Sequence, residues 1–113
     1  MNTIFPGASE RERIEHFDKL IQSTILTNDE WDEFKRLFDK VHKGFIFRLK
    51  EKFSNLTEND IRLLCLVKLQ LSRREMANML GVSQDAIKKS KQRLRKKIYG
   101  DEPAEIENLI VSI

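Results

Sequence analysis

Glycine and proline are scarce in this chain, which has four glycines and two prolines among 113 residues, with both prolines near its ends. So few turn-forming residues in the middle favour helices over a sheet with many turns. Cys65 is the single cysteine, and its apolar neighbours predict a buried thiol in a reducing compartment. No apolar run approaches the roughly 18 residues of a membrane helix, and no signal peptide is visible. We therefore expect a cytoplasmic protein with no membrane contact.

The sequence also lacks the residue patterns of an enzyme. It has no Gly-rich phosphate loop, no nucleophile–base arrangement and no cysteine and histidine set at metal-ligand spacing. His16 and His42 stand alone, and the carboxylates are scattered along helix faces. We expect no enzymatic activity, no metal, no cofactor and no small-molecule ligand in this segment.

Positive charge is concentrated in one short stretch of the chain. Residues 1–56 are neutral, residues 57–83 carry +1, residues 84–99 carry +6 and residues 100–113 carry −4, which together give the net charge of +3. Seven basic side chains oppose Asp85 alone within residues 84–99. This distribution predicts a helix that binds a polyanion, although a solvated charged face gives the same pattern.

Two amphipathic helices are predicted in the first half. Ser9 can begin the first, whose apolar positions are Ile14, Phe17, Leu20, Ile21 and Ile25. Thr27 and Glu30 form a predicted capping box for the second. The apolar stripe of the second helix is Trp31, Phe34, Leu37, Phe38, Val41, Phe45, Leu49 and Phe53. Gly44 is expected to kink or split it, and the stripe is expected to pack in a core. We assign residues 1–55 to a helical linker or dimerisation segment.

Three short capped helices and a last helix are predicted in the second half. The predicted N-caps are Thr57, Ser72 and Ser83. Gly81 and Gly100 are placed to end the second and third helices. Pro103 can begin the last helix, because proline is tolerated in a first turn. The apolar face of that helix is Ile106, Leu109, Ile110 and Ile113.

Residues 71–88 predict a helix-turn-helix, in which the small Ala77 allows close approach and Val82 and Ile87 fill the angle between the helices. Residues 56–99 resemble the LuxR/GerE-type helix-turn-helix domain. The matching segments are Leu56-Thr57, Leu71-Ser72, Glu75-Met76-Ala77, Val82-Ser83, Ile87-Lys88 and Lys96-Lys97-Ile98. Asp60, Met76 and Ala86 depart from the family pattern. The resemblance implies an all-α helical bundle in which residues 56–113 form a four-helix DNA-binding domain of a bacterial sensor-type transcription regulator.

The predicted recognition helix covers about residues 84–98 and directs Ile87, Leu94 and Ile98 inward. Its candidates for contact with base edges, also implied by the resemblance, are Lys88, Lys89, Gln92 and Arg93. The candidates for phosphate contact are Ser72, Arg73, Arg74, Ser83, Ser90, Lys91, Arg95 and Lys96. The sequence thus predicts binding in the major groove of double-stranded DNA.

Two alternatives and one arrangement stay open at this point. The first alternative is a module similar to region 4 of sigma factors, which has a similar helix-turn-helix. RNA polymerase would then be a candidate partner. A helical interaction module would present its basic helix to an acidic protein or RNA. The apolar stripe and the last helix suggest a homodimer, but the acidic last helix could instead fold back beside the basic one.

Overall fold

The computed structural model describes residues 24–111 and 113, and within them the chain is helical with no strand. The helices are α1 (Asn28–Val41), α2 (Phe45–Lys52), α3 (Glu58–Lys68), α4 (Arg73–Leu80), α5 (Gln84–Tyr99) and α6 (Ile106–Val111). The all-α prediction is therefore confirmed for this part of the chain. None of these helices combines the length and the apolar character needed to cross a bilayer.

Hydroxyl side chains begin four of the helices where the sequence places them. The Oγ atoms of Thr27, Thr57, Ser72 and Ser83 each accept a hydrogen bond from the amide three residues on, at 3.0–3.1 Å. In α1, α3 and α4, the carboxylates of Glu30, Asp60 and Glu75 in turn accept a hydrogen bond from the backbone amide of the cap residue. Each such cap stabilises its helix by about 1 kcal/mol. The predicted capping box at Thr27 is confirmed, as are the other three starts.

Glycines in the left-handed region separate adjacent helices. Gly44 has φ +79° and lies between α1 and α2, so the predicted split of the long helix is confirmed. Gly81 has φ +68° and ends α4. A side chain is disfavoured there by the backbone conformation, and a Cβ at Gly81 would also lie 2.6 Å from Leu26 Cδ2.

Two predicted helix boundaries are wrong. Ile14, Phe17, Leu20 and Ile21 lie outside the described residues, but Ile25 is not helical: its amide donates to the Met79 carbonyl at 2.8 Å. The last helix begins at Ile106 and not at Pro103. The chain after Gly100 first makes a turn, in which the Glu102 amide donates to the Tyr99 carbonyl at 3.2 Å. The Ala104 amide then donates to the Glu102 carbonyl at 2.9 Å, and residues 103–105 are not helical.

The aromatic stripe forms a core, as the sequence predicts. Trp31, Phe34, Phe38 and Phe45 are buried and make successive ring contacts with centroids 5.6–5.7 Å apart. The indole Nε1 of Trp31 donates to Glu58 Oε2 at 2.8 Å, which joins α1 to the start of α3. The partly buried Val41 and Phe53 pack at the edge of the cluster and not inside it.

The last helix folds back and packs against α3 and α5. Its residues Ile106, Leu109 and Ile110 are buried within the chain. Of the two arrangements left open by the sequence, the fold-back is the one observed. Both apolar faces that suggested a homodimer are thus covered intramolecularly, and dimerisation stays a prediction without their support.

Candidate nucleic-acid interface

The short helix α4 and a three-residue turn precede the basic helix α5, which packs against α4 and the core. Ile87 and Leu94 of α5 are almost fully buried, and Ile98 is half-buried against the core, so the predicted inward face is confirmed. Ala77 of α4 is buried, and its carbonyl accepts from the Val82 amide at 3.0 Å. Because the apolar side of α5 is fixed against α4 and the core, its opposite side faces solvent.

Val82 does not fill the angle between the helices, contrary to the prediction from sequence. Its side chain is 46% exposed, whereas that of Ile87 is 1% exposed. Val82 instead lines a groove of about 460 Å³ beside α5, together with Leu80, Ser90 and Leu94. Val82 of the turn is therefore part of the exposed surface beside α5.

All four candidates for base contact are exposed on α5. Lys89 pairs with Asp85 at 3.1 Å, and Arg93 Nη2 donates to Ser90 Oγ at 3.1 Å. Both contacts are on the surface, where such pairs are worth under about 1 kcal/mol and are easily exchanged for a ligand. Lys88 and Gln92 make no side-chain hydrogen bond or ion pair with the described part of the chain. The face can therefore rearrange its side chains toward a ligand at low cost.

The phosphate candidates divide into two groups. Exposed on the surface are Ser72, Arg73, Arg74, Ser83 and Lys96. The hydroxyl oxygens of the two cap serines accept backbone hydrogen bonds, which leaves their O–H groups able to donate. Half-buried are Ser90, Lys91 and Arg95.

Lys91 and Arg95 turn toward the C-terminal segment. The Lys91 ammonium forms an ion pair with the Glu107 carboxylate, and Arg95 Nη1 donates to the Glu102 carbonyl at 3.2 Å. Burial acts to raise the pKa of Glu107, but the hydrogen bonds from Lys91 and from the Glu107 amide, together with the charge of Lys91, bring it below its ordinary value. The sequence predicted both basic residues to face phosphate, and the structure instead shows them engaged by the chain itself.

Sequence reasoning missed an ion pair between the far end of α5 and the start of α3. Lys97 Nζ donates to Asp60 Oδ2 at 2.7 Å, and the same carboxylate accepts from the Thr57 amide at 2.9 Å. Burial acts to raise the pKa of Asp60, but the hydrogen bonds from Lys97 and Thr57 lower it below its ordinary value. The cap formed by Thr57 and Asp60 was visible in the sequence. The pairing of Asp60 with Lys97, 37 residues away, was not.

The contacts sort the seven basic residues of α5 into two sets. Three are engaged by groups outside this helix: Lys91, Arg95 and Lys97. Four lie on its exposed side: Lys88, Lys89, Arg93 and Lys96. We call these last four, together with Gln92, the outer face of α5. This face carries four positive charges and the side-chain amide of Gln92.

Comparison of the chain with protein-family models, with curated proteins and with solved structures gives no match. The resemblance to LuxR/GerE-type domains therefore stays a prediction from the residues quoted above.

Proposed function

We propose that α4, the turn at residues 81–83 and α5 form a helix-turn-helix that binds double-stranded DNA, with α5 in the major groove. The chain would act as a sequence-specific transcription regulator of the LuxR/GerE-like type. The observation that carries this proposal is the outer face of α5, which is basic and exposed directly opposite the buried Ile87 and Leu94.

The dimensions of α5 suit this role. Its 16 residues give a length of about 24 Å at 1.5 Å per residue, and the major groove is about 12 Å wide, which admits one helix. Lys88, Lys89 and Gln92 are exposed in its N-terminal half, so they are accessible to base edges. Gln92 can pair with adenine through two hydrogen bonds, and Lys88 or Arg93 with guanine.

The exposed residues at the start of α4 would position the domain on the phosphate backbone of the DNA. Arg73 and Arg74 are exposed beside the cap residue Ser72, and Lys96 extends the basic surface along α5. Contacts of this kind fix orientation without reading sequence. Each of Arg73, Arg74 and Lys96 that neutralises a phosphate should add about 0.9 to the slope of log affinity against log salt.

Selection of bound duplexes from a random pool tests the proposal and delivers the binding site at once. The selected duplex is then titrated in rising salt, and a flat dependence would contradict binding through phosphates. Single-stranded RNA of the same sequence serves as a competitor. Stronger displacement by RNA than by duplex DNA would favour an RNA-binding module instead.

A matched pair of lysine substitutions locates the interface. Lys88→Ala should weaken binding to the selected duplex by about tenfold, since a good base contact discriminates by about 1–3 kcal/mol. Lys40→Ala removes the same charge from an exposed position in the last turn of α1 and should leave affinity nearly unchanged. Equal losses in the two variants would show that only net charge matters.

We keep the homodimer as part of the proposal. A dimer would place two recognition helices about 34 Å apart, and selected duplexes should then contain two half-sites related by a two-fold axis. Sedimentation of the chain with and without the selected duplex checks this. A monomer on a single half-site would remove the dimer from the proposal and leave DNA binding intact.

A further inference from the structure

The acidic C-terminal segment, residues 101–107, lies against one flank of α5. The Glu107 carboxylate pairs with Lys91, and the Glu102 carbonyl accepts from Arg95 at 3.2 Å. The Lys91 side chain is 27% exposed, against 66% for Lys89 on the outer face. Two of the seven basic side chains of α5 are thus engaged by a segment that carries four carboxylates and no basic residue.

The residues that follow this segment anchor it through contacts with α2 and α3. Leu109 and Ile110 are buried, and the Ile110 carbonyl accepts from Lys68 Nζ of α3 at 3.5 Å. At the end of the chain, the Ile113 carbonyl accepts from Arg48 Nε of α2 at 3.1 Å. The carboxylate of Glu107 is therefore presented to Lys91 from an anchored helix and does not depend on chance encounters of a free tail.

We propose that residues 101–107 are an intramolecular competitor of DNA for Lys91 and Arg95. This inference rests on the proposed function. A phosphate brought to the flank of α5 meets the Glu107 carboxylate, which has the same sign of charge and already neutralises Lys91. The phosphate must displace that carboxylate before it gains a contact, so the segment lowers DNA affinity and the number of phosphates neutralised.

The geometry predicts a graded effect. An ion pair at this exposure is weak, so the competitor lowers affinity without blocking the outer face. Within the outer face, Gln92 and Lys96 line a groove with Glu105 and Glu107. All five residues of the face are nevertheless exposed while Lys91 is paired. Any partner or modification that draws this segment from α5, or neutralises its carboxylates, would raise DNA affinity.

The test compares two variants with the same change in net charge. Glu107→Gln removes the competitor at Lys91, whereas Asp101→Asn removes a carboxylate from an exposed position in the same segment. On a mixed-sequence duplex, Glu107→Gln should bind about two- to fivefold tighter than wild type, with a salt slope steeper by about 0.9. Asp101→Asn should leave the slope unchanged. Equal gains in affinity and slope, or no gain for Glu107→Gln, would overturn the inference.

A second pair keeps the test valid if Glu107→Gln alters folding, which thermal unfolding by circular dichroism would reveal. Lys91→Met should cost less DNA affinity than Lys96→Met, because Lys91 is already neutralised and Lys96 is not. In the Glu107→Gln background, Lys91→Met should abolish the gain. Equal losses at the two lysines contradict the inference. A wild-type chain that fails to bind duplex DNA at any salt concentration overturns the proposed function as well, whereas DNA binding with equal losses overturns the competitor alone.

Discussion

Leu94→Ala should destabilise the chain because this side chain holds α5 against the core. Leu94 is 2% exposed, and leucine-to-alanine substitutions at such sites cost about 2.7–5.0 kcal/mol. Leu94 also lines the groove of about 460 Å³, so the void left by the substitution joins existing space and should not form a sealed cavity. We therefore expect a loss near the lower end, about 3 kcal/mol. At about 4 °C per kcal/mol, the melting temperature should fall by roughly 12 °C.

Leu26→Ala is the matched control, because it deletes the same atoms from a leucine that is 60% exposed. Its unfolding free energy should change by no more than about 0.5 kcal/mol. Both variants are measured by urea denaturation followed by circular dichroism, with an unchanged m-value as the condition for comparing them. Equal losses in the two variants would refute the placement of Leu94 in the core, and with it the outward orientation of the basic face.

Three further predictions concern the turn, the ion pair and the thiol. Gly81→Ala should cost about 1–2 kcal/mol in urea denaturation, because φ +68° strains any residue with a Cβ; Gly81→Asn should recover part of that loss, and a neutral Gly81→Ala would contradict it. The lowered pKa of Asp60 stabilises the fold above the ordinary aspartate pKa of about 3.9, and this contribution is lost as pH falls through the lower folded value. Wild type should therefore exceed Asp60→Asn in stability at neutral pH and converge with it in acid; a constant difference would contradict the pairing with Lys97. Cys65 is fully buried, which raises its pKa, so a thiol reagent should modify it only after denaturation; rapid labelling of the folded chain would show that α3 is accessible.

Helix starts were predictable because their determinants are local. The hydroxyl of Thr27 and the carboxylate of Glu30 lie three residues apart, so their hydrogen bonds are decided within one turn of helix. The same holds for the split at Gly44, where the absence of a Cβ permits φ +79°. The periodicity of the aromatic stripe likewise determined which side of α1 is buried.

Positions outside regular helices were not predictable from such local signals. Ile25 continues the apolar spacing of the preceding residues, yet its amide binds the Met79 carbonyl, which lies 54 positions further along the chain. Val82 has the residue type of a core position, but the turn around Gly81 leaves it 46% exposed. Both outcomes depend on where α4 comes to lie in the tertiary structure, and hydrophobic pattern carries no information about that.

In the basic helix α5 too, the residue types were visible in the sequence, but their tertiary partners were not. Seven positive residues on one predicted helix were visible in the sequence, and six of them were assigned to contact with bases or phosphates. The fold partitions them, because the partners of Lys91, Arg95 and Lys97 are residues 107, 102 and 60 respectively, which reach α5 only through tertiary packing. A charge count therefore sets an upper bound on the phosphate contacts of a helix. The number available depends on which carboxylates and carbonyls the rest of the chain brings beside it.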